Sequence, residues 1–229
     1  MYLAIIPARS GSKRIKDKNI KRFFSYPIIR YSIYQASRSR IFKKIIVSTD
    51  SNRIKKISIK YGASVPFLRN KNLSSDYTPI YKVLLNVLKK IKKNCLPKYF
   101  CLIYATAPLV DKDDIIKSIN YLKKIKNKVD GISSVCKYDL PIQRALKINK
   151  KNFLEFVDKK YALKRSQDLQ EYYYDAAVFS WYNTKNFLKK NGTDLKILPY
   201  ILPSKKVQDI DNIKDFNMAK FKYKFRNIF

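Results

Sequence analysis

The strongest constraint on the fold is an alternation of two patterns. Short apolar runs recur along the chain, and each is followed by a segment whose apolar residues fall three or four apart. Tyr2–Ile6, Lys44–Ser48, Ala63–Phe67, Tyr99–Tyr104 and Gly131–Lys137 read as strands. Between them, Pro27–Arg40 and Asn52–Tyr61 read as helices. A third helix carries Ile80, Val83, Leu84, Val87, Leu88 and Ile91 on one face, and a fourth carries Ile115, Ile119, Leu122 and Ile125. Strand and helix repeating at roughly thirty-residue intervals argue for βαβ units and a mostly parallel, doubly wound sheet in an α/β domain. Local signals agree. Asp50 or Ser51 can cap the second helix, Thr78-Pro79 can open the third, and Asp111 with Asp114 frames a capping-box-like start to the fourth.

The pattern breaks after Lys137. Residues 138–175 hold Pro141, short apolar pieces and the polar stretch Lys164–Asp168, and read as an excursion inserted within a single domain of residues 1–229. Alternation then returns with a strand at Ala176–Trp181, a helix at Asn183–Lys190, a strand at Lys196–Leu202 and a last helix from about Asn212. In such sheets ligands bind beyond the carboxyl ends of the strands. That places the 7–19 loop, Asp50, Arg69, Thr106 and Lys137 along one edge.

Two stretches on that edge carry chemistry. The loop after the first strand, Pro7-Ala8-Arg9-Ser10-Gly11-Ser12-Lys13, continues to Arg14, Lys16, Lys18 and Asn19. Small residues let backbone N–H groups approach an anion, and the cations oppose its charge. A P-loop would end in Gly-Lys-Ser or Gly-Lys-Thr and enter a helix at once. Here the order differs and no helical pattern follows until about Pro27, so this is a phosphate cradle of another design, or a plain Gly/Ser turn in a basic chain. Near the other end, Asp209-Ile210-Asp211 puts two carboxylates on one face of an extended segment. That pair suits a hard oxygen-ligated cation such as Mg²⁺, although Asp211 can equally cap the final helix.

Ile6-Pro-Ala-Arg-Ser-Gly-Ser-Lys13 with Lys18-Asn19 resembles the signature of the cytidylyltransferases that activate nonulosonic, sialic-acid-type sugars, with Ser10 where that family usually has a second Gly. Gln208-Asp-Ile-Asp211 with Asp215 is similar to its C-terminal metal motif. The middle stretches are most similar to the pseudaminic acid branch: Val65-Pro-Phe-Leu-Arg69, Ile103-Tyr-Ala-Thr-Ala-Pro108, Pro141-Ile-Gln-Arg-Ala-Leu146 and Arg165-Ser-Gln-Asp-Leu169. The N-acetylneuraminate, legionaminate and 3-deoxy-octulosonate branches are the nearest alternatives. Around Tyr174-Asp-Ala-Ala-Val178 the family usually reads His-Asp-Ala-Gly-Gln, so Tyr174, Ala177 and Val178 depart from it.

The resemblance, which spans essentially the whole chain, implies a Rossmann-like three-layer α/β/α nucleotidyltransferase whose excursion protrudes to form a homodimer. It implies CTP on Ala8, Arg9, Ser10, Gly11, Ser12, Lys13 and Lys18, with Asn19, Arg69, Ala105 and Thr106 around the cytosine. It also implies catalysis by Arg9, Lys18 and a Mg²⁺ on Asp209 and Asp211. The sugar would lie against Tyr104, Arg144, Arg165, Gln167 and Asp168, the two guanidiniums being candidates for its carboxylate.

Composition excludes some chemistry and raises one rival. Histidine is absent, which removes serine-hydrolase triads and most zinc enzymes. Cys95, Cys101 and Cys136 fit no metal spacing, no apolar run is long enough to span a bilayer, and no signal peptide is visible, so a cytoplasmic protein with reduced thiols is expected. The net charge of +33 raises nucleic-acid binding. The lysines are spread through every predicted helix instead of gathering in one block, which favours a general compositional bias and no specific nucleic-acid partner.

Overall fold

A computed structural model describes residues 2–91, 95–125 and 129–226. The elements are, in order, β1 (Tyr2–Pro7), β2 (Arg22–Phe23), β3 (Tyr26–Pro27), α1 (Ile29–Arg38), β4 (Phe42–Ser48), α2 (Asn52–Lys60), α3 (Ile80–Lys90), β5 (Tyr99–Ile103), α4 (Lys112–Lys124), β6 (Gly131–Lys137), β7 (Leu146–Ile148), β8 (Leu154–Phe156), β9 (Tyr173–Asn183), α5 (Thr184–Lys189), β10 (Ile197–Ile201) and α6 (Ile213–Lys224).

The main sheet has the order β10-β6-β9-β5-β1-β4. β1 lies parallel to both β4 and β5, and β10 lies parallel to β6; β9 runs against β5 and β6, so it alone opposes the common direction. Alternation along β1 divides the core in two. Ala4 and Ile6 face α1, α2 and α4 through Ile29, Ile33, Ile54, Ile115 and Ile119. Leu3 and Ile5 face α3 and α5 through Leu84, Val87, Leu88 and Phe187. This is the expected three-layer arrangement. A third cluster joins Ile15 and Phe23 of the N-terminal loop region to Ile210 and to Phe216 and Ala219 of the C-terminal helix. It draws the two chemistry-bearing stretches together.

Several local expectations are corrected. Ala63–Phe67 forms no strand: only Ser64 bridges to Ile46, and Pro66, lacking an N–H, cannot extend a ladder. Pro27 pairs with Arg22 in the β2–β3 hairpin instead of opening α1. Of the two candidate caps for α2, Ser51 is the one used, its hydroxyl accepting from the Ile54 N–H. Thr78 does not cap α3; its hydroxyl meets Ser75 and Asn72 instead. Asp111 caps α4, but Asp114 turns to Lys206 (2.6 Å) and the Tyr200 hydroxyl, so the reciprocal box is not made. Asn212 caps α6, and Asp215 completes a capping box with it. Between β6 and β9 lie 3-10 turns and the small β7–β8 hairpin, with Leu140, Ile148, Phe153, Leu154, Val157 and Leu163 all exposed.

Candidate active site

A cleft of about 470 Å³ opens beyond the carboxyl end of β1, walled in part by Arg9, Ser12, Lys13, Lys18, Arg69 and Tyr104. It lies where a doubly wound sheet presents ligands. A larger hollow of about 920 Å³ sits at the opposite, amino ends of β1 and β4. That hollow brings Lys43, Lys44 and Lys90 to apolar walls with no carboxylate, whereas the smaller cleft gathers cations together with Asp76 and Asp211.

The loop after β1 is fixed by its own backbone. The Ala8 N–H donates to the Ser48 carbonyl at 2.8 Å, extending the β1–β4 pairing, and its methyl is buried. Asp50 accepts from the Ser10 N–H at 2.9 Å and from the Ser10 hydroxyl at 2.8 Å. The Ser12 N–H turns back to the Ser10 carbonyl. In this structure Ala8, Ser10 and Ser12 therefore spend their amide protons on the protein. A methyl group at Gly11 would meet nothing within 4 Å, so the local packing does not demand glycine there. The loop brings the cations Arg9, Lys13, Arg14 and Lys18 to the cleft.

Lys18 is largely buried and donates to the Ile210 carbonyl at 2.6 Å, with Asp211 3.8 Å away. Burial lowers its pKa; Asp211 and then Asp209 pull the other way. Asn19 is buried and its amide braces the Arg9 carbonyl at 2.8 Å, so it positions the loop. Arg69 is only 5% exposed. Its Nε donates to the Ser74 hydroxyl at 3.1 Å, while its Nη2 is buried without a partner. Burial lowers the Arg69 pKa as well, partly offset by Asp50, but a guanidinium stays charged. A buried charge with a spare donor facing a cleft is what a polar or anionic ligand would complete.

Ile210, fully buried within the third cluster, anchors the irregular segment that carries Asp209 and Asp211. Asp211 walls the cleft and takes Arg14 at 2.6 Å. The Asp209 carboxyl is pushed up by burial first and by Asp211 second, with Lys18 opposing. Two carboxylates that repel each other in a half-buried place fit a divalent cation, and Mg²⁺ needs only one or two of them beside waters and phosphate oxygens. Among the described residues no group of three or more such ligands gathers, so the fit is a pair and not a cage. Tyr104 joins this wall; burial, then Asp175, raises its phenol pKa. Ala105 and Thr106 do not wall the cleft, and Ala105 is buried in the main core.

The remaining sugar-site candidates lie elsewhere. Arg165 forks onto Asp168 (2.8 and 3.2 Å) and Arg144 reaches the Ser166 hydroxyl at 3.2 Å, all within the excursion. Gln167 lines a separate hollow of about 310 Å³ with Lys137 and Glu171. None of the four walls the cleft of this chain.

Three acids were missed or misassigned in the sequence reading. Asp76 meets Arg9 and Lys13 from a loop with no periodicity to flag it. Asp50 clamps Ser10, where capping was expected. Asp175 sits at a bulge: from Ser133 to Val135 on β6 the partner on β9 moves from Ser180 to Asp175, with the Phe179 N–H rescued by the Ser134 hydroxyl. A bulge beside a site re-aims side chains. The signal was present in the only carboxylate of a largely aromatic and apolar strand.

The family model described as "Cytidylyltransferase" matches residues 3–221. A pseudaminic acid cytidylyltransferase of Campylobacter jejuni is 40% identical over 97% of this chain and 96% of its own. An N-acylneuraminate cytidylyltransferase of Escherichia coli is 29% identical over 95% of this chain and 51% of its own. Among solved structures, a CMP:2-keto-3-deoxy-manno-octonic acid synthetase complexed with CTP superposes with a TM-score of 0.72 at 12% identity. It covers 98% of this chain and 99% of the other, and at that identity the likeness concerns the fold alone.

Proposed function

The chain belongs to the cytidylyltransferase family, and on that premise we propose that it transfers CMP from CTP to the anomeric C2 hydroxyl of a nonulosonic acid, pseudaminic acid first among them. The observation that carries this reading is the convergence of Arg9, Lys13, Lys18 and the buried Arg69 on one cleft that also holds Asp211. The C2 oxygen forms a bond to the α-phosphorus, the bond from that phosphorus to the bridging oxygen breaks, the hydroxyl loses its proton, and pyrophosphate leaves. Such chemistry needs alignment and charge neutralisation more than covalent help. Arg9 and Lys13 neutralise the departing phosphates, and Lys18, anchored on the Ile210 carbonyl, holds charge near the α-phosphate. Arg69 supplies its spare donor to the base or the phosphates. Asp209 and Asp211 would hold Mg²⁺, which when bound lowers the pKa of a hydroxyl and offsets phosphate charge.

The excursion supports a two-fold homodimer. Leu163 is 99% exposed, Leu154 70% and Ile148 68%, an apolar surface that a second copy would cover. In that arrangement Arg144 and Arg165 reach a neighbour's cleft instead of their own. Sedimentation velocity tests it, and a monomer would overturn it.

The reaction is tested by pyrophosphate release from CTP and Mg²⁺ with pseudaminic acid, beside N-acetylneuraminic acid and a no-sugar control. Release with pseudaminic acid alone is expected. Release only with the second sugar would keep the mechanism and move the chain to the neuraminate branch. Silence with both, together with no thermal stabilisation by CTP, would overturn the reading.

A further inference from the structure

The cleft already contains an anion of the protein's own. Asp76 divides its carboxylate between the two cations of the loop: one oxygen takes Arg9 Nη2 and the other lies 3.0 Å from Lys13 Nζ. The other terminal nitrogen of Arg9 points to the Ser74 carbonyl at 3.5 Å, in the same loop. A carboxylate with one cation on each oxygen occupies the place a phosphate would take. The loop that carries it is tied to itself: the Ser74 hydroxyl donates to the Asn70 carbonyl (3.2 Å), Ser75 and Thr78 share a hydrogen bond (2.9 Å), and Thr78 donates to the Asn72 carbonyl. Tyr77, next to Asp76, is 92% exposed. Withdrawal of Asp76 therefore uncovers no core.

We propose that Asp76 is a displaceable counter-ion of the polyphosphate seat, holding Arg9 and Lys13 in the empty protein, yielding them to CTP and competing for them again so that pyrophosphate leaves. The proposal rests on the cytidylyl-transfer reading for the identity of the ligand, and on the ion-pair geometry for the role of the residue. Lys13 first and Arg9 second keep the Asp76 carboxyl below its ordinary value, so the competitor is charged throughout the neutral range. An occupied seat reduces apparent affinity by the fraction of molecules in which it is free. That penalty falls on ligands that use Arg9 and Lys13, namely CTP and pyrophosphate. It spares a ligand that uses only the base pocket.

The test is isothermal titration of the full chain with CTP, pyrophosphate and cytidine, comparing wild type with Asp76→Asn and Asp17→Asn. Asp17 belongs to the same loop region but pairs outward with Arg53 at 2.8 Å, so its variant makes the same charge change away from the seat. Asp76→Asn is expected to tighten CTP and pyrophosphate about fivefold or more while leaving cytidine unchanged, and Asp17→Asn to leave all three unchanged. Equal tightening in both variants would reduce the effect to the general field and overturn the proposal. Unchanged or weakened pyrophosphate binding in Asp76→Asn would overturn it too. Wild type that binds pyrophosphate but not CTP would sink the cytidylyl-transfer reading and still leave the Asp76 comparison decisive.

Discussion

Replacing Arg69 by Met is expected to make the empty protein more stable and the loaded one less so. The guanidinium is 5% exposed, and its Nη2 has no hydrogen-bond partner. A buried donor left unsatisfied costs about 1–3 kcal/mol, and the one side-chain bond lost with the substitution, from Nε to Ser74, is worth about 1 kcal/mol. Ser74 is not orphaned, because its hydroxyl still donates to the Asn70 carbonyl. A methionine of similar length fills the same channel, and exchanging a buried charge for a hydrophobe is often neutral or stabilising. The balance is a gain of about 1 kcal/mol, or roughly 2–4 °C in Tm for a domain of this size. A bond between Arg69 and a ligand would be charge-assisted, worth about 1.5–3 kcal/mol, so its loss weakens CTP by about 10- to 150-fold. Thermal melts with and without CTP read both effects at once, since stabilisation follows ligand concentration over Kd. A variant that melts below wild type without ligand, or that keeps the full CTP shift, would refute the reasoning.

Three further outcomes follow from other residues. Burial lowers the Lys18 pKa from 10.5, so kcat/KM should fall on the alkaline side earlier than an ordinary lysine would dictate, and Lys18→Arg should move that limb upward. In the same window the unfolded chain binds the extra proton, so the contribution of Lys18 to stability rises with pH, which melts across alkaline buffers can read. Ala177 sits at φ 49°, where a Cβ costs about 1–2 kcal/mol, so Ala177→Gly should raise Tm once the added freedom of the unfolded chain is subtracted. Asp130 accepts from Lys190 Nζ (2.7 Å), Asn186 Nδ2 (2.8 Å) and the Lys196 N–H (2.7 Å), so Asp130→Ala should cost about 3–5 kcal/mol by urea denaturation.

The behaviour of the loop after β1 shows where the sequence stopped being informative. Its cations were legible because a strand end, small residues and clustered Arg and Lys are adjacent in the chain. Its hydrogen bonds were not, because the Ser10 and Ala8 amides are claimed by Asp50 and Ser48, some forty residues away. Asp50 and Ser51 both fit the cap of α2 on local propensity, and Ser51 takes that role because the extended backbone before α2 aims its hydroxyl at the Ile54 N–H. Ala63–Phe67 satisfied a strand pattern but found a partner only at Ser64. Asp76 lay in a polar loop without pattern, and only proximity to Arg9 and Lys13 gave it a role.

By itself the sequence determined the alternation, hence the layered α/β fold, and it marked the basic loop and the Asp209–Asp211 pair, because apolar periodicity and short motifs are properties of neighbours along the chain. Tertiary structure decided what those groups face. The cluster of Ile15, Phe23, Ile210 and Phe216 brings the first and last thirds of the chain together, so that Lys18 meets the Ile210 carbonyl and Arg14 meets Asp211. It also left Arg144 and Arg165 outside the cleft and put Asp76 inside it. Charge states, orphaned donors and ion pairs depend on burial and on distances through space, and neither is written in local order.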